Sequence, residues 1–288
     1  MTQRNSLKSI INDAKKPIIM PGVYDCISAK ITEESNFEVC AVTGNGLSAS
    51  LIGEPDIGLL SFGEVLNETR NIAQSVSIPV IADADTGYGN NLNMIRTVKE
   101  MEKAGLAGIF FEDQVFPKKC SYIGGDDLLE EKETFMKKVK AAKWAVESNN
   151  FLLIARTDAL VSGTIEDAID RSNSYGKSGA DVIFIVGIKS IQQLEYIVQQ
   201  VEYPVMININ EGESLSSFSY DEISEKGVKL IMYPNSVRGA VLQVTRQVLS
   251  NLKEKGDTRD IESIIARSKD FNHLMDLKEM LRIEKMFE

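Results

Sequence analysis

The chain is poor in histidine and cysteine. Among 288 residues there is one histidine, His273, and there are three cysteines at unrelated spacings. A single histidine argues against histidine-based catalytic triads and against histidine-rich metal sites. The three cysteines match neither a zinc motif nor a disulfide framework, and they fit a reducing compartment.

Basic residues and long apolar runs are also scarce. The chain has 32 Lys and Arg against 42 Asp and Glu, which gives a net charge of −10 and a pI of about 4.9. Such an acidic surface repels phosphate backbones and anionic lipids, so we expect neither a nucleic-acid nor a membrane partner. Apolar runs such as residues 182–188 are far shorter than the ~20 residues of a membrane-spanning helix. The N-terminal residues lack the apolar core of a signal peptide, which predicts a cytoplasmic chain.

Short apolar segments recur along the chain, each followed by a stretch of helical character. They are rich in Val, Ile, Leu and Phe without polar alternation, which is typical of parallel strands covered on both faces. Eight such units in about 240 residues predict an α/β fold of the (β/α)8 barrel type. A doubly wound sheet is the alternative, but no glycine fingerprint follows the first strand. The eight segments are residues 17–20, 39–43, 79–83, 108–112, 151–156, 182–186, 205–208 and 230–233.

The spacing of these segments predicts one barrel domain over residues 1–288, with residues 235–288 as a C-terminal helical tail. Two connections stand out as long loops, around residues 53–58 and 117–127. Long loops after barrel strands commonly carry substrate contacts and lids.

Carboxylates follow two neighbouring strands. In this fold the active site lies at the C-terminal ends of the strands, where Asp83, Asp85 and Glu112 occur. Adjacent strands are roughly 5 Å apart, so these side chains would repel one another unless a cation neutralised them. An all-oxygen ligand set favours Mg²⁺ or Mn²⁺. Helix capping is the alternative role of these carboxylates, and it suits Asp113 and Asp158 as well as a role in the site does.

Three further features could bind or react with an anion. Arg156 ends the fifth segment, where its guanidinium could hold a carboxylate or phosphonate, or else form an internal ion pair with one of the acids. The glycines of residues 43–46 would let backbone N–H groups approach an anion, although a turn without ligand explains them almost as well. Cys120 follows Lys118 and Lys119 in a polar loop, where the cations favour a reactive thiol.

Three motifs together resemble one enzyme superfamily. They are DADTGYG at residues 83–89, EDQVFPKKC at 112–120 and IARTD at 154–158, and the similarity runs from PGVYD at 21–25 to about residue 234. In this order they resemble the isocitrate lyase/phosphoenolpyruvate mutase superfamily. Among its short members, the chain looks most like 2-methylisocitrate lyase, 2,3-dimethylmalate lyase and carboxyvinyl-carboxyphosphonate phosphorylmutase.

The resemblance implies a barrel whose last helix is swapped between the subunits of a homotetramer. It implies Mg²⁺, or Mn²⁺, held directly by Asp83 and mostly through water by Asp56, Asp85 and Glu112. It implies a catalytic role for Arg156. It also implies a mobile lid whose Cys120 protonates the carbanion left after carbon–carbon cleavage, with Lys118 assisting. The residues that match substrate-binding positions are Thr43, Gly44, Asn45, Asp83, Arg156 and Asn208.

Three positions depart from the lyase pattern. Ser121 and Tyr122 stand where lyases carry Gly-His, Ala41 replaces a frequent Tyr, and Val186 replaces the glutamate that pairs with the arginine. The loss of that glutamate predicts an Arg156 without its partner, and therefore a small, strongly anionic substrate.

These features predict a Mg²⁺-dependent carbon–carbon lyase that acts on a small branched 2-hydroxy di- or tricarboxylic acid through an enolate-type intermediate. A phosphonomutase and an oxaloacetate decarboxylase are the alternatives among enzymes. A catalytically inert barrel is the alternative outside enzymology.

Overall fold

The computed structural model describes residues 7–118 and 129–288. Its strands form a closed barrel in which each strand pairs in parallel with its neighbours in sequence and the last pairs with the first. The predicted (β/α)8 barrel is therefore confirmed. The strands are β1 (Ile18–Val23), β2 (Cys40–Val42), β3 (Val80–Asp83), β4 (Gly108–Glu112), β5 (Leu152–Thr157), β6 (Val182–Ile185), β7 (Val205–Asn208) and β8 (Leu230–Tyr233).

Helices cover the barrel between the strands. Several begin with a side-chain cap, as at Ser61 and Asn90, whose oxygens accept backbone N–H groups of the first turn. The helices of the first part of the chain are α1 (Leu7–Asp13), α2 (Cys26–Glu34), α3 (Gly44–Leu51), α4 (Phe62–Ser75), α5 (Asn91–Lys103), α6 (Lys132–Ala145), α7 (Ala159–Ser162), α8 (Ile165–Ser178), α9 (Ile191–Gln200) and α10 (Tyr220–Ser224).

All eight predicted apolar segments are strands, and most of their bounds lie within two residues of the prediction. β1 differs because it continues three residues past the predicted end at residue 20. Gly22 and Val23 extend it by pairing with Ala41 and Val42 of β2. Such buried, apolar strands form two cores. One core fills the barrel, with Phe110 and Phe184 in an edge-to-face contact, and the other lies between strands and helices.

The chain divides into two compact units, the first ending at Ser236 and the second covering Val237–Glu288. The helices of the last part of the chain are α11 (Ser236–Lys255), α12 (Ser268–Leu274) and α13 (Leu277–Glu284). The organisation into one barrel domain with a tail stays a prediction. Within the described residues, no helix combines the length and the apolar character that crossing a bilayer requires.

Candidate active site

The ends of β3 and β4 bring three carboxylates to the same rim of the barrel. Asp83 is paired with Phe110 in the ladder, and the backbone N–H of Glu112 donates to the carbonyl of Asp85 at 2.9 Å. All three acids are buried, and Glu112 has no exposed surface. Asp85 adopts a left-handed backbone with φ 48°. Strain of this kind is concentrated at functional sites.

The ammonium of Lys118 lies among these carboxylates. Its Nζ is 2.6 Å from Asp85 Oδ1, 2.9 Å from Asp56 Oδ2 and 3.9 Å from Glu112 Oε1. Burial alone would lower the pKa of Lys118, but the surrounding carboxylates, Asp85 foremost, raise it well above its usual value. Lys118 therefore supplies the positive charge that this acidic cluster requires.

Burial is the largest influence on the pKa values of Asp83 and Glu112. Removal from water raises the pKa of Asp83 to about 6, against the opposing effect of Lys118. Burial likewise raises the pKa of Glu112 well above its usual value, and the opposing cations are Arg156 and Lys118. These carboxylates lie in a low-dielectric pocket, where a cation stabilises their charged forms strongly.

The residues fit a divalent cation in their chemistry. Within the described residues, both carboxylate oxygens of Glu112 and the hydroxyl of Tyr88 are buried and make no hydrogen bond of regular geometry, although Arg156 Nη1 lies 2.8 Å from Glu112 Oε2 and Lys118 Nζ lies 3.9 Å from Oε1. Carboxylate oxygens that have cationic neighbours but no regular hydrogen bond can accept a further positively charged ligand. Across residues 7–118 and 129–288, however, no three acidic, histidine or cysteine side chains are already arranged around one point. A metal ion would therefore require Asp83, Asp85, Glu112 and Asp56 to rearrange around it.

Arg156 is held by acidic neighbours, which corrects the expectation that it lacks a partner. Its Nε and Nη2 donate to the two carboxylate oxygens of Asp158, both at 2.9 Å. Its Nη1 lies 2.8 Å from Glu112 Oε2, and its guanidinium stands over the ring of Phe184 at 5.6 Å. Asp158 takes over the charge compensation that Val186 cannot provide, because it directly follows β5, two residues after Arg156, and its carboxylate reaches the guanidinium from there. The argument for a strongly anionic substrate therefore loses its premise.

The remaining strand-end residues line the same cavity. The Thr43 hydroxyl caps α3 by accepting the N–H of Gly46, and the N–H of Gly44 donates to Asp83 Oδ2 at 3.2 Å. A Cβ at Gly44 would lie 2.9 Å from that same oxygen, so only glycine fits there without a shift. Asn45 and Asn208 also line the cavity.

Sequence reasoning singled out Val186 but missed the rest of the apolar wall of this cavity and two asparagines. The wall consists of Phe110, Phe184, Val186 and Met232, and the asparagines are Asn210 and Asn235. Asn210 could have been found from its place two residues after Asn208. Asp158 occupies the N-cap position of α7, but its side chain makes no capping hydrogen bond. Of the two roles left open for Asp158, helix capping and a place in the site, the structure supports the second, because its carboxylate contacts Arg156. The expected lid residues Cys120, Ser121 and Tyr122 lie outside the described residues.

Comparison with known proteins supplies the family. A family model described as phosphoenolpyruvate phosphomutase matches residues 7–253. A carboxyvinyl-carboxyphosphonate phosphorylmutase from Arabidopsis thaliana is 38% identical, over 94% of this chain and 80% of that protein. A 2,3-dimethylmalate lyase from Eubacterium barkeri is 34% identical, over 94% of this chain and 93% of that protein.

The structural comparison agrees with the sequence comparison. A phosphonopyruvate hydrolase, crystallised as a complex with oxalate and Mg²⁺, superposes with a TM-score of 0.88 at 28% identity. The superposition covers 99% of this chain and 99% of that one. The barrel, the acidic strand ends and these matches together show that the chain is an enzyme of the isocitrate lyase/phosphoenolpyruvate mutase superfamily.

Proposed function

We propose that the protein is a Mg²⁺-dependent carbon–carbon bond lyase. The observation that carries this proposal is the meeting of Asp83, Asp85, Glu112 and Arg156 at one barrel rim, beside a cavity. Cleavage of the bond next to a carboxylate leaves an enolate-like anion on the fragment that carries this carboxylate. The transition state that leads to this anion is stabilised by fixed positive charge. When bound, Mg²⁺ supplies Lewis-acid stabilisation of that developing charge.

The chain's own residues would bind and orient the substrate. Arg156 lines the cavity, with Nη1 beside Glu112, while Asp158 holds the Nε and Nη2 edge of its guanidinium. A guanidinium fixed in this way can accept a substrate carboxylate with little loss of side-chain freedom. Asn45 and Asn208 line the cavity with amide groups that can bind further oxygens.

Proton transfer would fall to the loop after β4. Lys118, at the start of this loop, is 2% exposed and reaches the carboxylates. The proposal that Cys120 protonates the carbanion, with assistance from Lys118, rests on the match of the KKC motif to the superfamily's lyases. Protonation at carbon by a positioned thiol is general acid catalysis.

The composition of the cavity wall indicates which carboxylic acid is the substrate. Phe184, Val186 and Met232 give it an apolar side, where a third carboxylate would be left without a charged partner. An alkyl substituent would gain from contact with this wall. A branched 2-hydroxy diacid of the dimethylmalate type therefore suits the cavity better than a tricarboxylate.

A Mg²⁺-dependent assay for released 2-oxo acid, such as pyruvate, tests the proposal. We expect 2,3-dimethylmalate to be cleaved with a higher kcat/KM than 2-methylisocitrate, and cleavage to stop in excess EDTA. Oxaloacetate belongs in the same panel, because its decarboxylation also yields pyruvate but releases CO₂ in place of a second carboxylic acid, so the co-product separates a decarboxylase from the lyase. Absence of product from every acid tested would contradict the lyase.

A phosphonomutase is the second candidate. It is favoured by the 38% identity to a phosphorylmutase over 94% of the chain, and an enolate-stabilising site serves that chemistry equally. Phosphorus NMR of phosphonopyruvate incubated with enzyme and Mg²⁺ separates the two candidates. Conversion of the phosphonate signal to a phosphate ester would establish the mutase and displace the lyase.

We further propose that the second unit mediates assembly into a homotetramer. α11 buries none of its side chains, although it carries Val241, Leu242 and Leu249 among other apolar residues. Exposed apolar surface of this extent is typical of an interface. A second copy of this chain, through exchange of its last helices, is the occupant that the superfamily resemblance indicates.

A further inference from the structure

A buried hydrogen-bond network lies behind the site, outside the cavity lining. Its centre is Asp113, which follows β4 and has no exposed surface. Asp113 Oδ1 accepts the backbone N–H of Asp158 at 3.1 Å, and Oδ2 accepts the Thr157 hydroxyl at 2.8 Å. One carboxylate thereby fixes the position of two consecutive residues at the end of β5, Thr157 and Asp158.

The outer helix α8 holds Asp113 from the other side. The hydroxyl of Tyr175 donates to Asp113 Oδ2 at 2.8 Å, and Arg171 Nη1 donates to the Tyr175 hydroxyl at 3.0 Å. Arg171 Nη1 also approaches Asp113 Oδ2 at 3.4 Å and donates to the carbonyl of Glu130 at 3.0 Å. Tyr175 is fully buried against the ring of Phe135. Its hydroxyl is therefore fixed by packing as well as by hydrogen bonds.

The same turn carries the residue that grips Arg156. The Asp158 carboxylate accepts both Nε and Nη2 of Arg156, and it also accepts Nε2 of Gln114. Since the backbone N–H of Asp158 is anchored on Asp113, the position of Asp113 sets where the Asp158 carboxylate points. Hydrogen bonds in a buried chain such as this one reinforce each other.

We infer that Tyr175 is a positioning residue for Arg156, acting through Asp113 and Asp158. Its hydroxyl holds Asp113, Asp113 holds the turn at Thr157 and Asp158, and Asp158 holds the guanidinium. The guanidinium fixed in this way lines the cavity, with Nη1 2.8 Å from Glu112 Oε2, and there it would receive a substrate carboxylate. This inference rests on the proposed function only in giving Arg156 a carboxylate to bind.

Substitution of Tyr175 by phenylalanine tests the inference, because it removes one hydroxyl and keeps the ring. The matched control is Tyr220→Phe, which removes a hydroxyl that donates at 2.7 Å to the carbonyl of Pro17, before β1. Binding of oxalate to the Mg²⁺-loaded protein is measured by calorimetry, and Mg²⁺ binding is measured separately. We expect Y175F to weaken oxalate binding about fivefold to twentyfold, to leave Mg²⁺ binding unchanged, and to raise KM more than it lowers kcat. The control should leave oxalate binding unchanged.

A double-mutant cycle shows whether the effect runs through Arg156. In an Arg156→Lys background, which cannot form the two-pronged contact with Asp158, Y175F should weaken oxalate binding no further. Thr157→Val should reproduce the loss seen with Y175F, and Thr157→Ser, which keeps the donor to Asp113, should restore binding. An equal loss in both backgrounds, or an equal loss of Mg²⁺ affinity, would overturn the inference.

The four proteins of the double-mutant cycle are the wild type, Y175F, Arg156→Lys and the double variant. Their thermal stability gives a readout that does not depend on the proposed function. If the wild-type protein binds no oxalate and cleaves no acid, the proposed function fails while the positioning network remains open to test. Thermal unfolding of the four proteins then decides. Shifts in Tm that are less than additive support coupling between Tyr175 and Arg156 through Asp113 and Asp158, and additive shifts overturn it.

Discussion

At the scale of single residues, the site is a balance between buried acids and two cations, the buried Lys118 and the partly buried Arg156. Asp83, Asp85 and Glu112 are each less than a tenth exposed, and Lys118 and Arg156 stand within ion-pair distance of members of the group. Buried charges are tolerated only when they are compensated. Removal of any one charge should therefore lower the stability of the protein. Metal binding would change which carboxylates pair with Lys118 and Arg156.

Asp83→Asn tests the acid that the resemblance places directly on the metal. Asp83 accepts the N–H groups of Gly44 and Asp85 on its two oxygens. Because the amide of asparagine keeps one acceptor but loses the charge, we expect a folded protein whose kcat/KM falls about 100-fold or more. Mn²⁺ binding, followed by calorimetry, should weaken in parallel.

The control for this change is Asp221→Asn, which also removes one negative charge. Asp221 pairs with Lys16 on the surface, where the two side chains are 74% and 63% exposed. That variant should keep wild-type activity. Wild-type Mn²⁺ affinity in Asp83→Asn would remove Asp83 from the metal site.

Lys118→Gln tests the ammonium among the carboxylates. Without metal, the variant leaves Asp85 and Asp56 without the partner that lies at 2.6 and 2.9 Å, and we expect a loss of stability of about 3 kcal/mol. Saturating Mg²⁺ supplies the missing charge, so the deficit in Tm should shrink on adding the metal.

Thermal melts with EDTA and with Mg²⁺ provide the measurement, and Lys16→Gln is the control for loss of an exposed ion pair. Mg²⁺ could reduce the difference in Tm from the wild type no more for Lys118→Gln than for Lys16→Gln. The ammonium and the metal would then not bind the same carboxylates.

At the scale of elements, the start of α3 is shaped to approach the acids closely. Gly44 opens this helix without a left-handed backbone, so alanine would be acceptable for the helix itself. The side chain is excluded by the site, since a Cβ would lie 2.9 Å from Asp83 Oδ2 and 3.2 Å from Lys118 Nζ.

We therefore expect Gly44→Ala to weaken Mn²⁺ and oxalate binding about tenfold or more, because the methyl group displaces Asp83 or Lys118. Stability should change by less than about 1 kcal/mol, since the helix gains from alanine what the contacts lose. Gly63→Ala at the start of α4 is the control, because its Cβ would meet only Ser61 Oγ at 3.9 Å. Unchanged ligand binding in Gly44→Ala would show that this helix start does not shape the site.

At the scale of the whole molecule, the second unit lacks an apolar interior comparable to that of the barrel. Ile261 is the one residue from this unit among the buried hydrophobics of the described chain. Its exposed apolar side chains include Leu249, Met280 and Phe287, at 60%, 61% and 83%. Apolar surface left in water weakens a fold, and association would remove this cost.

The tetramer proposal predicts that a charge on this surface reduces the oligomeric mass. We expect Leu249→Glu combined with Met280→Glu to shift the protein toward smaller species in light scattering coupled to gel filtration. Leu92→Glu, at a leucine of the barrel unit that is 73% exposed, is the control for adding a charge. A wild-type protein that is monomeric at micromolar concentration would contradict the proposal directly.

Much of the architecture follows from local sequence. Short apolar segments such as residues 205–208 and 230–233 favour buried strands, and their eightfold recurrence favours a closed parallel barrel over a doubly wound sheet. Closure then places every strand end on one rim, so the meeting of Asp83, Asp85 and Glu112 could be predicted before any coordinates. These features depend on periodicity and on strand order, which the amino-acid sequence carries by itself.

The partners within that rim depend on the tertiary structure. The sequence did not reveal that Asp158 would hold Arg156, that Lys118 would meet Asp56 across 62 positions, or that Tyr175 would reach Asp113 across the same separation. The last two contacts join side chains from different strands, loops and helices, and Asp158, although only two residues after Arg156, is itself held by Asp113 from the neighbouring strand end. The energies of all three depend on burial and on hydrogen-bond angles. Sequence determined which charges gather at the rim, while packing decided which of them pair, because hydrogen-bond geometry is set only when distant elements come together.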